Sequence, residues 1–148
     1  MVVVGNTIET FVNTANGLES IVGGKTVVAF PDKYFSTPLK ETMFSLGIKK
    51  IEVGPRLETT DANGNVTVTR NREAKIRLAL NVYAPKSMGG DACSKGFDRW
   101  LDLLVRVWRI DILDAGCDEV EYEQSIGTNV LKGYFTIRRV VSETIPVS

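Results

Sequence analysis

The hydrophobic patterns along the chain predict an α+β domain: a mainly antiparallel sheet with two helices packed on one face and an extended hairpin. Three observations carry this expectation: helical spacing over residues 6–18 and again from 91 to 109, a long strict alternation around Ala74–Tyr83, and an Asn63-Gly64 turn between two β-type arms. The 148 residues, 43% apolar and 24% charged, fit one ordinary globular domain spanning 1–148.

Ile8, Phe11, Val12, Ala15 and Leu18 fall on one helical face, with Asn6 or Thr7 as the expected cap and Glu9 in the first turn. Gly23-Gly24-Lys25-Thr26 contains the letters of a phosphate loop, but Glu19 stands where that motif needs glycine and a strand follows, so it reads as a turn. Thr26 to Phe30 is a β-branched run stopped by Pro31, and 31–38 reads as a loop. Ile48, Ile51, Val53 and Leu57 carry the next strand, and Asp61–Asn65 turns the chain back. On the return arm Ala74, Ile76, Leu78, Leu80 and Val82 alternate with Lys75, Arg77, Ala79, Asn81 and Tyr83.

A glycine-containing break at 85–91 leads to a second helix, with Asp91 as its expected cap. Cys93, Phe97, Trp100, Leu101, Leu104 and Trp108 form its apolar stripe, and both tryptophans are expected in the core. Val105 and Val107 widen that stripe beyond what one sheet needs. Val120, Tyr122 and Gln124 read as a strand, 127–129 as a turn, and Leu131, Gly133, Phe135 and Ile137 as the last strand.

The chain contains no histidine, which excludes Ser-His-Asp and Cys-His catalysis and imidazole metal sites. Met1–Gly5 is too short and lacks the basic leader of a signal peptide, and the apolar segment near Leu101–Ile112 is broken by four charges. A soluble protein in a reducing cytosol is expected, with Cys93 and Cys117 as two buried thiols. No cofactor or metal is expected: the acids at 111–123 miss the calcium-loop spacing and read as a solvated edge, with a metal or small-ligand site as the alternative.

Charge is unevenly placed in a chain whose 18 basic and 18 acidic residues cancel. Lys49, Lys50, Arg56, Arg70, Arg72, Lys75 and Arg77 face only four acids on the hairpin, a balance of +3. Asp111, Asp114, Asp118, Glu119, Glu121 and Glu123 crowd one short segment without a basic residue, and from Asp91 to Glu123 nine acids oppose four basic residues, −5. The patches read either as solvated surfaces or as the two halves of a head-to-tail contact, in which the hairpin of one copy docks on the acidic segment of the next. Nucleic acid is the weaker partner for the hairpin, because no aromatic residues are interleaved there.

The first helix, the long-armed hairpin, the strand Ile76-Arg77-Leu78-Ala79-Leu80-Asn81-Val82-Tyr83-Ala84-Pro85, the break, the helix Asp91 to Arg109 and the closing hairpin together resemble the tail terminator proteins of tailed bacteriophages and phage-tail-like particles. The resemblance spans most of the chain and rests on element order. It implies a non-enzymatic virion assembly protein that closes into a ring, a hexamer, on the finished tail tube and ends its polymerisation. Its implied partners are further copies of itself, the tail tube protein and the head-tail connector, in the bacterial host cytoplasm during assembly and then in the particle, with no membrane. Another tail, baseplate or head-tail joining component is the alternative within that class.

Overall fold

A computed structural model describes residues 4–18, 23–28 and 41–142. Among the described residues the protein is α+β, with a mixed, mostly antiparallel sheet and two α-helices. Helix α1 spans Val4–Gly17 and strand β1 Lys25–Val28; β2, Met43–Thr60, and β3, Val66–Pro85, follow. A short 3₁₀ turn, Lys86–Met88, precedes α2, Asp91–Asp102, and then come β4, Ile112–Cys117, β5, Glu121–Glu123, and β6, Thr128–Ser142.

The strand order is β1-β2-β3-β6-β4, and β5 also pairs with β6. Among the described residues only β1 and β2 run parallel. The alternation on β3 is realised as expected: Ala74, Ile76, Leu78, Leu80 and Val82 are all buried, and their odd-numbered neighbours face away. The registers carry this burial sideways. Ile51, Ile76, Ile137 and Ile112 stand side by side on β2, β3, β6 and β4. The two inner members are buried, whereas Ile51 at the outer end is 42% exposed.

The same buried cluster takes Phe11, Val12 and Ala15 from α1 and Cys93, Phe97, Trp100 and Leu104 from the second helical segment. The Trp108 ring stacks on Phe11 with centroids 5.1 Å apart and meets Trp100 edge-on at 5.7 Å. Asn16 ties the end of α1 to β1: its amide donates to the Thr26 carbonyl at 2.9 Å and its oxygen accepts the Thr26 N–H at 2.8 Å. Trp100 Nε1 donates to Thr26 Oγ1 at 3.3 Å, so the buried Thr26 is held from both helices. Gly133 provides the contact between α2 and β6, because a Cβ there would occupy the space of the Phe97 ring.

Several expectations are corrected in detail. Asn6 and Thr7 lie inside α1, which begins at Val4, so neither is its cap and Glu9 is not in its first turn. Asp91 is the first residue of α2 and makes no side-chain cap; Gly90 precedes it. The second helix does not run unbroken to Arg109: Leu103–Val107 winds more widely, with Trp108 N–H reaching the Leu103 carbonyl at 3.1 Å. It stops where Arg109 takes φ 52°, which lets Ile110 N–H reach the Leu104 carbonyl at 2.9 Å. The strand expected from Ile48 begins at Met43, the closing turn lies before Thr128, and β4 occupies residues expected as loop. The expected loop at 31–38 and the end of the strand at Ala29 and Phe30 lie outside the described residues. Cys93 is buried as expected, but Cys117 is exposed, and both are free thiols. No helix among the described residues is long and apolar enough to cross a membrane.

Candidate self-association surfaces

The β2–β3 ladder extends from Met43↔Tyr83 to Thr60↔Val66, and β6 follows β3 as far as Asn71↔Ser142. Asp61 holds the turn by accepting the Asn63 and Asn65 N–H groups, each at 2.9 Å, and the Asn65 side-chain amide at 3.2 Å. These bonds, first that of the Asn65 backbone, keep the Asp61 carboxyl below its ordinary pKa. Gly64 completes the turn at φ 84°.

The basic candidates are distributed along this ladder. The Lys49 ammonium lies 5.5 Å from the Tyr134 ring centre, and the Arg77 guanidinium 4.7 Å from the same ring. Lys50 pairs with Glu52 at 2.7 Å, and that hydrogen bond, followed by the charge of Lys50, lowers the Glu52 pKa. Arg72 donates to the Gly54 carbonyl at 3.2 Å. Arg56 stands opposite Arg72 in the register. Lys75 is exposed opposite Glu52. Arg70 lies on β3, and its side chain is outside the described residues.

The acidic candidates occupy the far edge of the sheet. Asp114 is on β4, Glu121 and Glu123 are on β5, and Asp118 and Glu119 join the two strands. The Asp118 N–H donates to the Lys132 carbonyl at 2.9 Å, which holds the joining segment against β6. Asp118, Glu119, Glu121 and Glu123 surround a hollow of about 120 Å³ together with Val130 and Lys132.

The two charge sets are not wholly separate. Arg77 crosses β6 to pair with Asp114 at 3.2 Å, donating on the way to Thr136 Oγ1 at 3.2 Å, and Arg138 pairs with Asp111 at 3.3 Å. Lys50, Glu52, Lys75, Arg77, Leu113, Asp114 and Thr136 line an open hollow of about 270 Å³ on the sheet face opposite the core. The acids at 118–123 form no such pair with the basic hairpin among the described residues.

Lys132, Tyr134, Thr136 and Arg138 also belong to this charged face, beyond the residues that charge clustering in the sequence singles out. Their signal was present: if Gly133, Phe135 and Ile137 turn inward, the residues between them must turn outward. Apolar side chains are exposed on both candidate surfaces, Ile51 at 42% and Val53 at 55% on the arm, and Leu113 at 40% and Tyr122 at 48% on the acidic edge. Among the described residues no group of three or more His, Cys, Asp or Glu side chains is placed to hold a metal ion. Compared with known proteins, the chain matches no family model, and no curated protein matches it.

Proposed function

We propose that this protein is a non-enzymatic assembly component of a phage tail or phage-tail-like particle, closing as a ring on the tail tube and ending its growth. In this reading the two helices back one face of the sheet, and the β2–β3 hairpin is an extended arm that reaches a neighbouring subunit or the tube. The tube protein and the head-tail connector are its further partners, in the host cytoplasm and then in the particle.

One observation supports self-association above the rest: a mixed apolar and basic surface on β2 and a mixed apolar and acidic surface on β4–β5 lie at opposite sides of one sheet. Surfaces so placed are complementary between copies related by rotation, the head-to-tail arrangement that closes into rings. The element order that resembles tail terminators supplies the rest of the reading.

Sedimentation velocity across salt concentrations tests it, combined with negative-stain imaging of the protein alone and with tail tubes. Closed rings at low salt, and rings seated at tube ends, are the expected results. A monomer at high concentration and low salt that also fails to bind tube ends would overturn the proposal.

A further inference from the structure

We infer that the hollow on the sheet face opposite the core receives the acidic segment 118–123 of a second copy, with Lys75 as the cation that meets the incoming carboxylates. The inference rests on the self-association proposed above and specifies its contact. The hollow has one charge left over. Of its three cations, Lys50 is held by Glu52 at 2.7 Å and Arg77 by Asp114 at 3.2 Å. Lys75 is exposed, and its ammonium forms no ion pair or hydrogen bond among the described residues. Behind the Lys50 hydrogen bond and the Lys50 charge, Lys75 also helps to hold the Glu52 carboxyl below its ordinary pKa, so a carboxylate at this place is favoured in its charged form. Leu113, the extra residue at the β4 bulge, adds an apolar wall and is 40% exposed. At about 270 Å³ the hollow is at the small end for a ligand site, which suits side chains from another protein surface.

The chain carries matching anions but cannot deliver them to its own hollow. Asp118, Glu119 and Glu121 are exposed and form no ion pair among the described residues. The registers fix their separation from Lys75. Lys75 stands opposite Arg138 on β6, whereas the Asp118 N–H is bonded at Lys132 and Glu121 stands opposite Val130. Six and eight residues of β6 lie between these positions, about 20 and 26 Å at the rise of a strand. Two side chains do not bridge that distance, so a second copy must bring the acids. The acid nearer the hollow does not compete, because Asp111 is paired with Arg138 at 3.3 Å. Hollow and acidic segment are separate surfaces of one chain, so each copy gives one such contact and takes another, as a closed ring requires.

Charge reversal with mixing tests the inference by sedimentation velocity at a fixed low salt. Lys75→Glu in one chain, and Glu119→Lys with Glu121→Lys in another, should each weaken self-association about tenfold, because each sets like charges against one another in the contact. Mixed in equal amounts, the two variants should regain wild-type association, since the reversed hollow of one meets the reversed segment of the other. All three positions are exposed, and unchanged melting curves would show that the folds are kept. Carbodiimide coupling, which joins a lysine to a carboxylate it touches, needs no variant: wild-type oligomers should yield a crosslink from Lys75 to segment 118–123. Oligomers that neither variant weakens, or that lack this crosslink, would overturn the contact and leave the ring reading standing. Weakening by both variants without recovery on mixing would count against it equally. A discrete dimer carrying the crosslink would keep the contact and remove the ring. A wild-type protein that stays monomeric, with or without tubes, would remove both.

Discussion

Cys93 and Cys117 show how position decides the chemistry of one residue type. Cys93 is fully buried, its Sγ directed at the carbonyls of Asn129 and Val82 at 3.4 and 3.6 Å, and burial raises its pKa. Cys117 lies exposed on the edge strand. A thiol reagent such as Ellman's should therefore titrate one thiol per native chain and two in denaturant; two in the native protein would contradict this packing. Because the folded-state pKa of Cys93 is raised, its contribution to stability is complete below the ordinary thiol value and is lost as pH climbs through the raised one. Urea unfolding between neutral and alkaline pH should show a steeper alkaline loss in the wild type than in Cys93→Ala. The sequence marked Cys93 as buried through its place on the apolar stripe, but it carried no such pattern around Cys117, whose exposure follows from a strand that was not foreseen. Gly133 is a second case. Its alternation with Leu131 and Phe135 was legible, but its contact with Phe97 depends on how closely α2 approaches the sheet. Gly133→Ala should cost about 1–3 kcal/mol by overpacking, roughly 3–10 °C in Tm. An unchanged melting curve would mean that the helix can withdraw at little cost.

At the scale of elements, β3 was the most legible part of the chain because from Ala74 to Ala84 buried side chains alternate strictly with outward-facing ones. β4 was not legible. Ile-Leu-Asp-Ala-Gly-Cys has no clean period of two, since Leu113 is an extra residue at a bulge between Ile112 and Asp114 and no residue of the strand is fully buried, Ile112 and Gly116 being half-buried and the rest exposed. The wide turn at Leu103–Val107 was also invisible, because a stripe at helical spacing continues through it; what changes there is the backbone bonding that brings Trp108 onto Phe11. That contact joins α1 to the second helical segment. Trp108→Ala should therefore destabilise the fold by roughly 3 kcal/mol, at the low end for buried aromatics because the ring is only partly covered. It should also release α1 first, seen as faster amide exchange over residues 10–17 than over β3. Uniform exchange in both elements would show that α1 is not held through this ring.

For the whole molecule, the uneven charge was legible from residue order alone, whereas its partition was not: no sequence pattern shows that Arg77 reaches Asp114 while the acids at 118–123 face outward. Under the proposed assembly, the same partition names the charges to test. Lys50→Glu should leave the fold intact, since the residue is exposed, and weaken self-association about tenfold, or ~1.4 kcal/mol. Sedimentation at a fixed low salt reads this directly, and an unchanged oligomer distribution would exclude Lys50 from the contact. The wild-type association should also weaken as salt screens the opposed edges.

The strand order also imposes a sequence of events on biosynthesis. Among the described residues β4 pairs with no strand but β6, although it leaves the ribosome earlier, so its register stays undefined until β6 arrives to fix it. The surface assigned here to the next subunit is consequently the last to mature. If the chain assembles as proposed, a half-made polypeptide cannot yet offer that surface to another copy.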